Sequence, residues 1–268
     1  MKVIALVAAW AAACRVPQGG LRPSESAAAE RAGPQAARYD PADPRSVVEH
    51  VCAATRARKS YQTRFTAVLT PPEGDAIEYQ GTCVWVRPGI LYIHYTAKGG
   101  DEKRIVRAGE KAWVYHSLLG EWVSAEDAGL SGAGRGIQNP DEVLSVLARH
   151  AAAARSLGPG GAALEFSGDD IEKVMREQVQ AGSFTWKESR AEIAVHADAR
   201  GLLRKFECRA DLKPADPNLK GRVRYSGVFD VVSYDAAESL TFRDEKGQEI
   251  PLSAEVREAV EKARKENR

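Results

Sequence analysis

The chain has 268 residues, with 38 Lys and Arg against 37 Asp and Glu and a formal net charge of +1. That is enough polypeptide for one large or two small domains with a real core. A balance so near zero, with no basic stripe in any stretch, gives no electrostatic ground for nucleic-acid binding.

Lys2 precedes an apolar run from Val3 to Ala13, which has signal-peptide length and is short for a bilayer span. The run ends Ala11-Ala12-Ala13-Cys14. Small residues before a cysteine resemble a bacterial lipobox, which would make Cys14 the site of lipidation. The same alanines also fit A-x-A signal cleavage, so both fates of residues 1–14 stay open. From Arg15 to Pro44 the composition shifts to Ala, Pro, Gly, Arg, Ser and Glu, as expected of a disordered tether over 15–44. Its end-to-end distance would be on the order of 30 Å.

Ser46 and Glu49 have capping-box spacing, and Val47, Val51 and Ala54 fall on one helical face, which predicts a helix to about Lys59. Four extended runs follow: Tyr61–Thr70, Ile77–Arg87, Ile90–Thr96 and Arg104–His116. They are rich in β-branched and aromatic residues and separated by Pro- and Gly-containing turns, so they predict an antiparallel meander. In the third run Leu91, Ile93 and Tyr95 share one face and Ile90, Tyr92 and His94 the other. Neither face is clearly polar, so both meet something apolar: helices, a second layer or a ligand. Trp122-Val123 returns across Ser117–Gly120 as a hairpin.

The glycine-rich stretch Gly129–Gly136 lacks the Gly-Lys-Ser/Thr of a phosphate cradle and reads as a loop or lid. Asn139-Pro140 starts a helix whose buried stripe is Val143, Leu144, Leu147 and Ala151, and Ser167–Asp170 starts another to about Gln180. Strand patterns recur at Ser183–Trp186, Ala191–Ala197, Leu202–Leu212 and Val223–Tyr234, with a hairpin turn at Asp198–Gly201. The tail 253–268 is helical by composition, with only a thin apolar stripe, and reads as a solvated terminal helix. Two batches of strands with helices between them give an α+β fold class: an antiparallel open half β-barrel with helices covering the concave face.

Signals for chemistry are weak. None of the five histidines has metal-ligand spacing, there is no nucleophile elbow, and Asp169 and Asp170 fit helix N-terminal charge. The expectation is a protein without catalytic residues, metal or cofactor. Cys52, Cys83 and Cys208 remain if Cys14 is acylated; Cys83 and Cys208 could pair if their strands are neighbours, and buried free thiols are the alternative.

Several stretches together resemble the LolA-like lipoprotein-carrier superfamily. They are Ser60–Thr66, Gly81, Trp85–Tyr92 with Arg87-Pro88-Gly89 at its centre, Ile105–Gly109 and Ala112–Tyr115. Asp235-Ala236-Ala237, Leu240-Thr241-Phe242 and Gly247 resemble the closing strand and turn. The likeness spans roughly residues 45–250 and is poorest between 125 and 200. It implies a lipid-binding domain over 45–252 that binds or transfers acyl chains or lipoproteins through an apolar cavity in the bacterial envelope. The partners implied are acyl chains and, through an acylated Cys14, a membrane. It also implies that an Arg placed like Arg87 holds a closed form through hydrogen bonds. Phe65, Val84, Arg87, Leu91, Ile93, Trp113 and Tyr115 are the candidate lipid-binding set, although each apolar member fits core packing equally well. The alternative within the same superfamily is an RseB-like envelope sensor with a filled core, acting on a protein partner. An acceptor of LolB type would carry an apolar-tipped loop after Tyr95, whereas Thr96–Asp101 is polar and Leu118 and Leu119 sit in the next loop.

Overall fold

The computed structural model describes residues 39–100, 102–128, 140–171, 184–214, 218, 220–236 and 238–265. The signal-like segment with Cys14, most of the tether, the glycine-rich loop, the body of the helix begun at Ser167 and the last three residues lie outside that set.

Eleven strands form one antiparallel sheet: β1 Ser60–Thr70, β2 Ile77–Val86, β3 Ile90–Ala97, β4 Glu102–Ala108, β5 Lys111–His116, β6 Glu121–Ser124, β7 Ala153–Ser156, β8 Gly161–Phe166, β9 Phe184–Ala197, β10 Leu203–Pro214 and β11 Val223–Tyr234. Their spatial order is β6-β5-β4-β3-β2-β1-β11-β10-β9-β8-β7. The chain lays down a meander, leaves the sheet, and returns with a second meander whose last strand pairs with the first. That join is long, running from Tyr61 opposite Tyr234 to Thr70 opposite Arg224. The fold is mostly β with few helices, an open sheet whose two edges, β6 and β7, are four residues each. Short edges present few unpaired backbone groups for unwanted pairing.

Three helices are described: α1 Pro44–Arg56, α2 Pro140–His150 and α3 Ala254–Lys265. Asp43 caps α1, its side chain accepting from Arg45 N, and proline follows at the first helical position, where no N–H is needed. α1 and α2 pack on each other and share one face of the sheet over β8, β9 and β10. Their core contains Val47, Val48, Val51, Leu144, Leu147, Leu164, Ile193, Val195 and Leu203. The described helix pair thus lies over the second meander.

α3 lies on the opposite face, behind the first meander. Val256, Val260 and Ala263 bury themselves against Val84, Val86, Ile90, Tyr92, Val106 and Trp113, with Phe242 and Ile250 completing the layer. This corrects the expectation of a solvated terminal helix. Its stripe is narrow, but the sheet supplies large side chains, so a narrow stripe suffices.

Two further differences have local causes. Arg104–His116 is not one strand but two, because Gly109, at φ 61, turns the chain between Ala108 and Lys111. Strands β7 and β8, which the sequence pattern does not predict, flank a turn over Leu157–Gly160. Their residues, Ala153-Ala154-Arg155-Ser156 and Gly161-Ala162-Ala163-Leu164, carry almost no β propensity; pairing of β8 with β9, and of β7 with β8, holds them extended.

Candidate functional site

The face that carries α1 and α2 is largely apolar across the sheet, with Arg107 among its polar members, and we call it inner. On the first meander it presents Tyr61, Phe65, Cys83, Trp85, Leu91, Ile93, Ile105, Ala112 and Val114, all buried, with Ala125 beside them. Phe229, Val231 and Tyr234 of β11 pack against the same cluster. Phe65 stacks on Phe229 at 5.5 Å, and Phe229 on Phe206 at 4.4 Å and 4°, so an aromatic ladder crosses the join between the two meanders. Gly81 makes room for it. A Cβ there would stand 2.8 Å from Phe65 Cε1 and 2.4 Å from the His94 carbonyl oxygen. No residue of the three described helices belongs to this cluster.

The expected lipid-binding residues divide between the two faces. Phe65, Leu91 and Ile93 lie on the inner face. Val84, Trp113 and Tyr115 lie on the outer face under α3, where Tyr115 packs edge-on against Trp122 at 5.5 Å. They are therefore core residues of the back layer and do not line the inner surface. Val84 is the simple case, since it sits between Cys83 and Trp85 on an alternating strand. Trp113 and Tyr115 follow from the tight turn at Gly109: Ala108 pairs with Lys111, so odd-numbered residues change faces between β4 and β5.

Arg87 immediately follows β2, in the turn before a cis Pro88. Its Nη2 donates to Asp141 Oδ2 at 2.5 Å, and Asp141, in the first turn of α2, is 1% exposed. Tyr61 Oη donates to the other carboxylate oxygen at 3.1 Å, and Arg56 Nε lies 3.5 Å from Oδ2. One buried carboxylate thus ties together the end of α1, the start of β1, the end of β2 and the start of α2. Burial, then the Asp141 charge, pushes the Tyr61 hydroxyl well above its ordinary range, so it stays a donor. Sequence reasoning found Arg87 but expected backbone partners. It missed Asp141, whose position after Asn139-Pro140 reads simply as first-turn charge.

The cysteines stay apart. Cys83 is on β2 and Cys208 on β10, with β1 and β11 between them, a separation of roughly 14 Å at one strand spacing per step. All three described thiols are free, and burial pushes each up to about 12. Among the described residues no cluster of three or more His, Cys, Asp or Glu could hold a metal, and no helix is long and apolar enough to cross a membrane.

The arrangement is that of an open antiparallel sheet with an apolar inner face and a latched helix pair at one end. Comparison with known proteins finds no matching family model and no matching curated protein. Solved structures do match. LprF from Mycobacterium bovis is 12% identical at a TM-score of 0.40, covering 75% of this chain and 96% of that one. Mycobacterium tuberculosis lipoprotein LppX is 9% identical at 0.40, covering 72% and 95%. A LolA superfamily protein from Nitrosomonas europaea is 12% identical at 0.31, covering 76% and 97%. The remote resemblance read from the sequence is thus met again among solved structures, at a level that says nothing of what the chain binds.

Proposed function

We propose that this protein holds acyl chains, free or attached to a lipid or lipoprotein, against the inner face of its first meander, without chemistry, in the bacterial cell envelope. The observation that carries the reading is the inner cluster itself: a wide apolar wall from β1 to β5 to which none of the described helices contributes a side chain. A wall of that kind prefers hydrocarbon to water, at about 0.8 kcal/mol for each CH₂ transferred. The sheet would curl into a half-shell around the ligand, as long twisted sheets do. The Arg87–Asp141 contact would hold the helix pair in place over one end.

Two features support a membrane setting. The N-terminal segment ending at Cys14 has the form of an export signal. Leu118 and Leu119, at the tip of the β5–β6 hairpin, are 91% and 61% exposed, and an apolar tip of this kind gains by entering a lipid surface. The test is native mass spectrometry and solvent extraction of the purified full chain, followed by titration with a fluorescent fatty acid. A co-purifying lipid or saturable uptake is the expected result. A ligand-free protein that takes up no fatty acid would overturn the reading and leave an envelope interaction protein of the RseB-like kind.

A further inference from the structure

At the latched end of the sheet two turns stand next to each other, one joining β7 to β8 and the other β9 to β10. They are neighbours because Gly161 pairs with His196, and Ala197 N donates to Gly160 O at 2.8 Å. α1 passes beside them, and between α1 and the two turns lies a cleft of about 480 Å³. Small-molecule sites range over about 300–1,000 Å³, so the space is ample for one. Its lining shares no residue with the inner cluster of the first meander.

The two sides of the cleft differ in kind. On the helix side are the rings of Tyr39, just ahead of α1, and His50, 4.4 Å apart and tilted by 34°, with the buried Val47 and Val51 beside them. The turn side is largely backbone. Gly160 at φ 70 and Gly201 at φ 75 hold the left-handed conformation that suits glycine, and a Cβ at Gly201 would stand 3.2 Å from His50 Nε2. Asp198 and Arg200 also line the cleft, but they are closed on each other. Arg200 Nη2 and Nε donate to Asp198 Oδ2 at 2.8 and 3.0 Å, while Oδ1 accepts from Arg200 N and Leu202 N at 2.8 and 3.0 Å. That ion pair therefore offers no open counter-charge to an ion entering the cleft. Tyr39 and His50 are both exposed, and neither makes a hydrogen bond within the described residues.

We infer that this cleft binds a small flat aromatic molecule without net charge, of the phenol or indole class, independently of any acyl chain on the inner face. The ligand ring packs against Tyr39 and His50, and its hydroxyl or N–H donates to the His50 imidazole. Rings on one side and bare backbone on the other suit a flat occupant, and an aromatic ring gains from ring neighbours what a saturated one of the same size does not. A neutral imidazole carries one acceptor and one donor nitrogen, so it meets a hydroxyl or an indole N–H without needing a second charge. The closed Asp198–Arg200 pair leaves a charged ring no matching partner, which gives the site its preference for neutral molecules.

The test is equilibrium dialysis of the full chain, with dodecanoate in excess so that an acyl site on the inner face is filled. The probes are 2-naphthol, its saturated counterpart decahydro-2-naphthol, and the charged 2-naphthoate. One 2-naphthol should bind per chain, about fivefold more tightly than the saturated alcohol, the increment of one ring pair. It should bind about tenfold or more above the naphthoate, whose charge finds no partner. Tyr39→Leu should bring the two alcohols to equal affinity. His50→Phe keeps a ring but removes the hydrogen-bonding nitrogens, so it should weaken both alcohols alike, about fivefold, and preserve their ratio. Both side chains are exposed, so neither substitution should disturb the fold, which an unchanged urea midpoint would verify. The inference is overturned if 2-naphthol does not bind with dodecanoate present, or if wild type takes up the two alcohols or the naphthoate equally well. It is overturned as well if neither substitution changes the affinity for 2-naphthol.

Discussion

Residue-scale features of this protein are dominated by polar and sulfur groups placed in hydrocarbon surroundings. Cys52 and Cys83 sit in cores and Cys208 packs half-buried against two of them, and burial pushes each up to about 12. A thiol with so little thiolate at neutral pH is a poor nucleophile. In native protein Cys52, Cys83 and Cys208 should therefore react with iodoacetamide only as fast as the fold opens, and all three should become reactive at once in denaturant, which mass spectrometry of the peptides reads directly. The same shifts make stability depend on pH. From about pH 9, the ordinary thiol value, the unfolded chain releases these protons while the folded chain keeps them. The contribution is whole below pH 9 and is lost as pH rises toward 12, so the urea midpoint should fall over that window. Replacing Cys52 with Ala should flatten part of the fall; an unchanged slope would refute the assignment.

At the scale of elements the important contact is Asp141 with Arg87. Truncating one partner of a buried pair leaves the other charge uncompensated, at a cost of about 3 kcal/mol or more, whereas removing both is milder. Asp141→Ala should therefore lower the urea midpoint strongly, and the double variant with Arg87→Ala should lower it less than the sum of the two singles. Additive effects would mean that α2 is held by its apolar stripe alone. This is also the scale at which the sequence was most and least readable. Alternating aromatic and β-branched residues announced β1, β2, β3 and β11 nearly to their ends, and Asn139-Pro140 announced α2. The alanine-rich β7 and β8 were silent, because their extended form comes from neighbours and not from their own side chains. Face assignment failed for Trp113 and Tyr115 through one turn. Reading Arg104–His116 as a single run hides Gly109, and a two-residue reversal moves every later side chain to the opposite surface. Arg87 was legible as a strand-end charge, but its partner lies 54 positions on, and only tertiary structure brings them together.

For the whole molecule, the decisive feature is that both faces of the first meander are apolar and buried, the outer one beneath α3. Deleting residues 253–268 should uncover Val84, Val86, Tyr92, Val106 and Trp113 together, a patch well beyond what soluble monomers tolerate. The truncated chain should oligomerise or precipitate in size-exclusion chromatography. If it instead stayed monomeric with an unchanged midpoint, α3 would be an accessory to the fold and not its back wall.

The ladder that runs from β6 to β7 never closes upon itself. A sealed barrel can swell only by breaking backbone hydrogen bonds, and so has a fixed bore. Here the gap between the two rims can widen or narrow by bending alone, with every ladder bond kept. How far the rims stand apart is thereby left to side chains, the buried Arg87–Asp141 pair among them, so if the protein clasps acyl cargo as proposed, the same backbone would serve a thick one and a thin one.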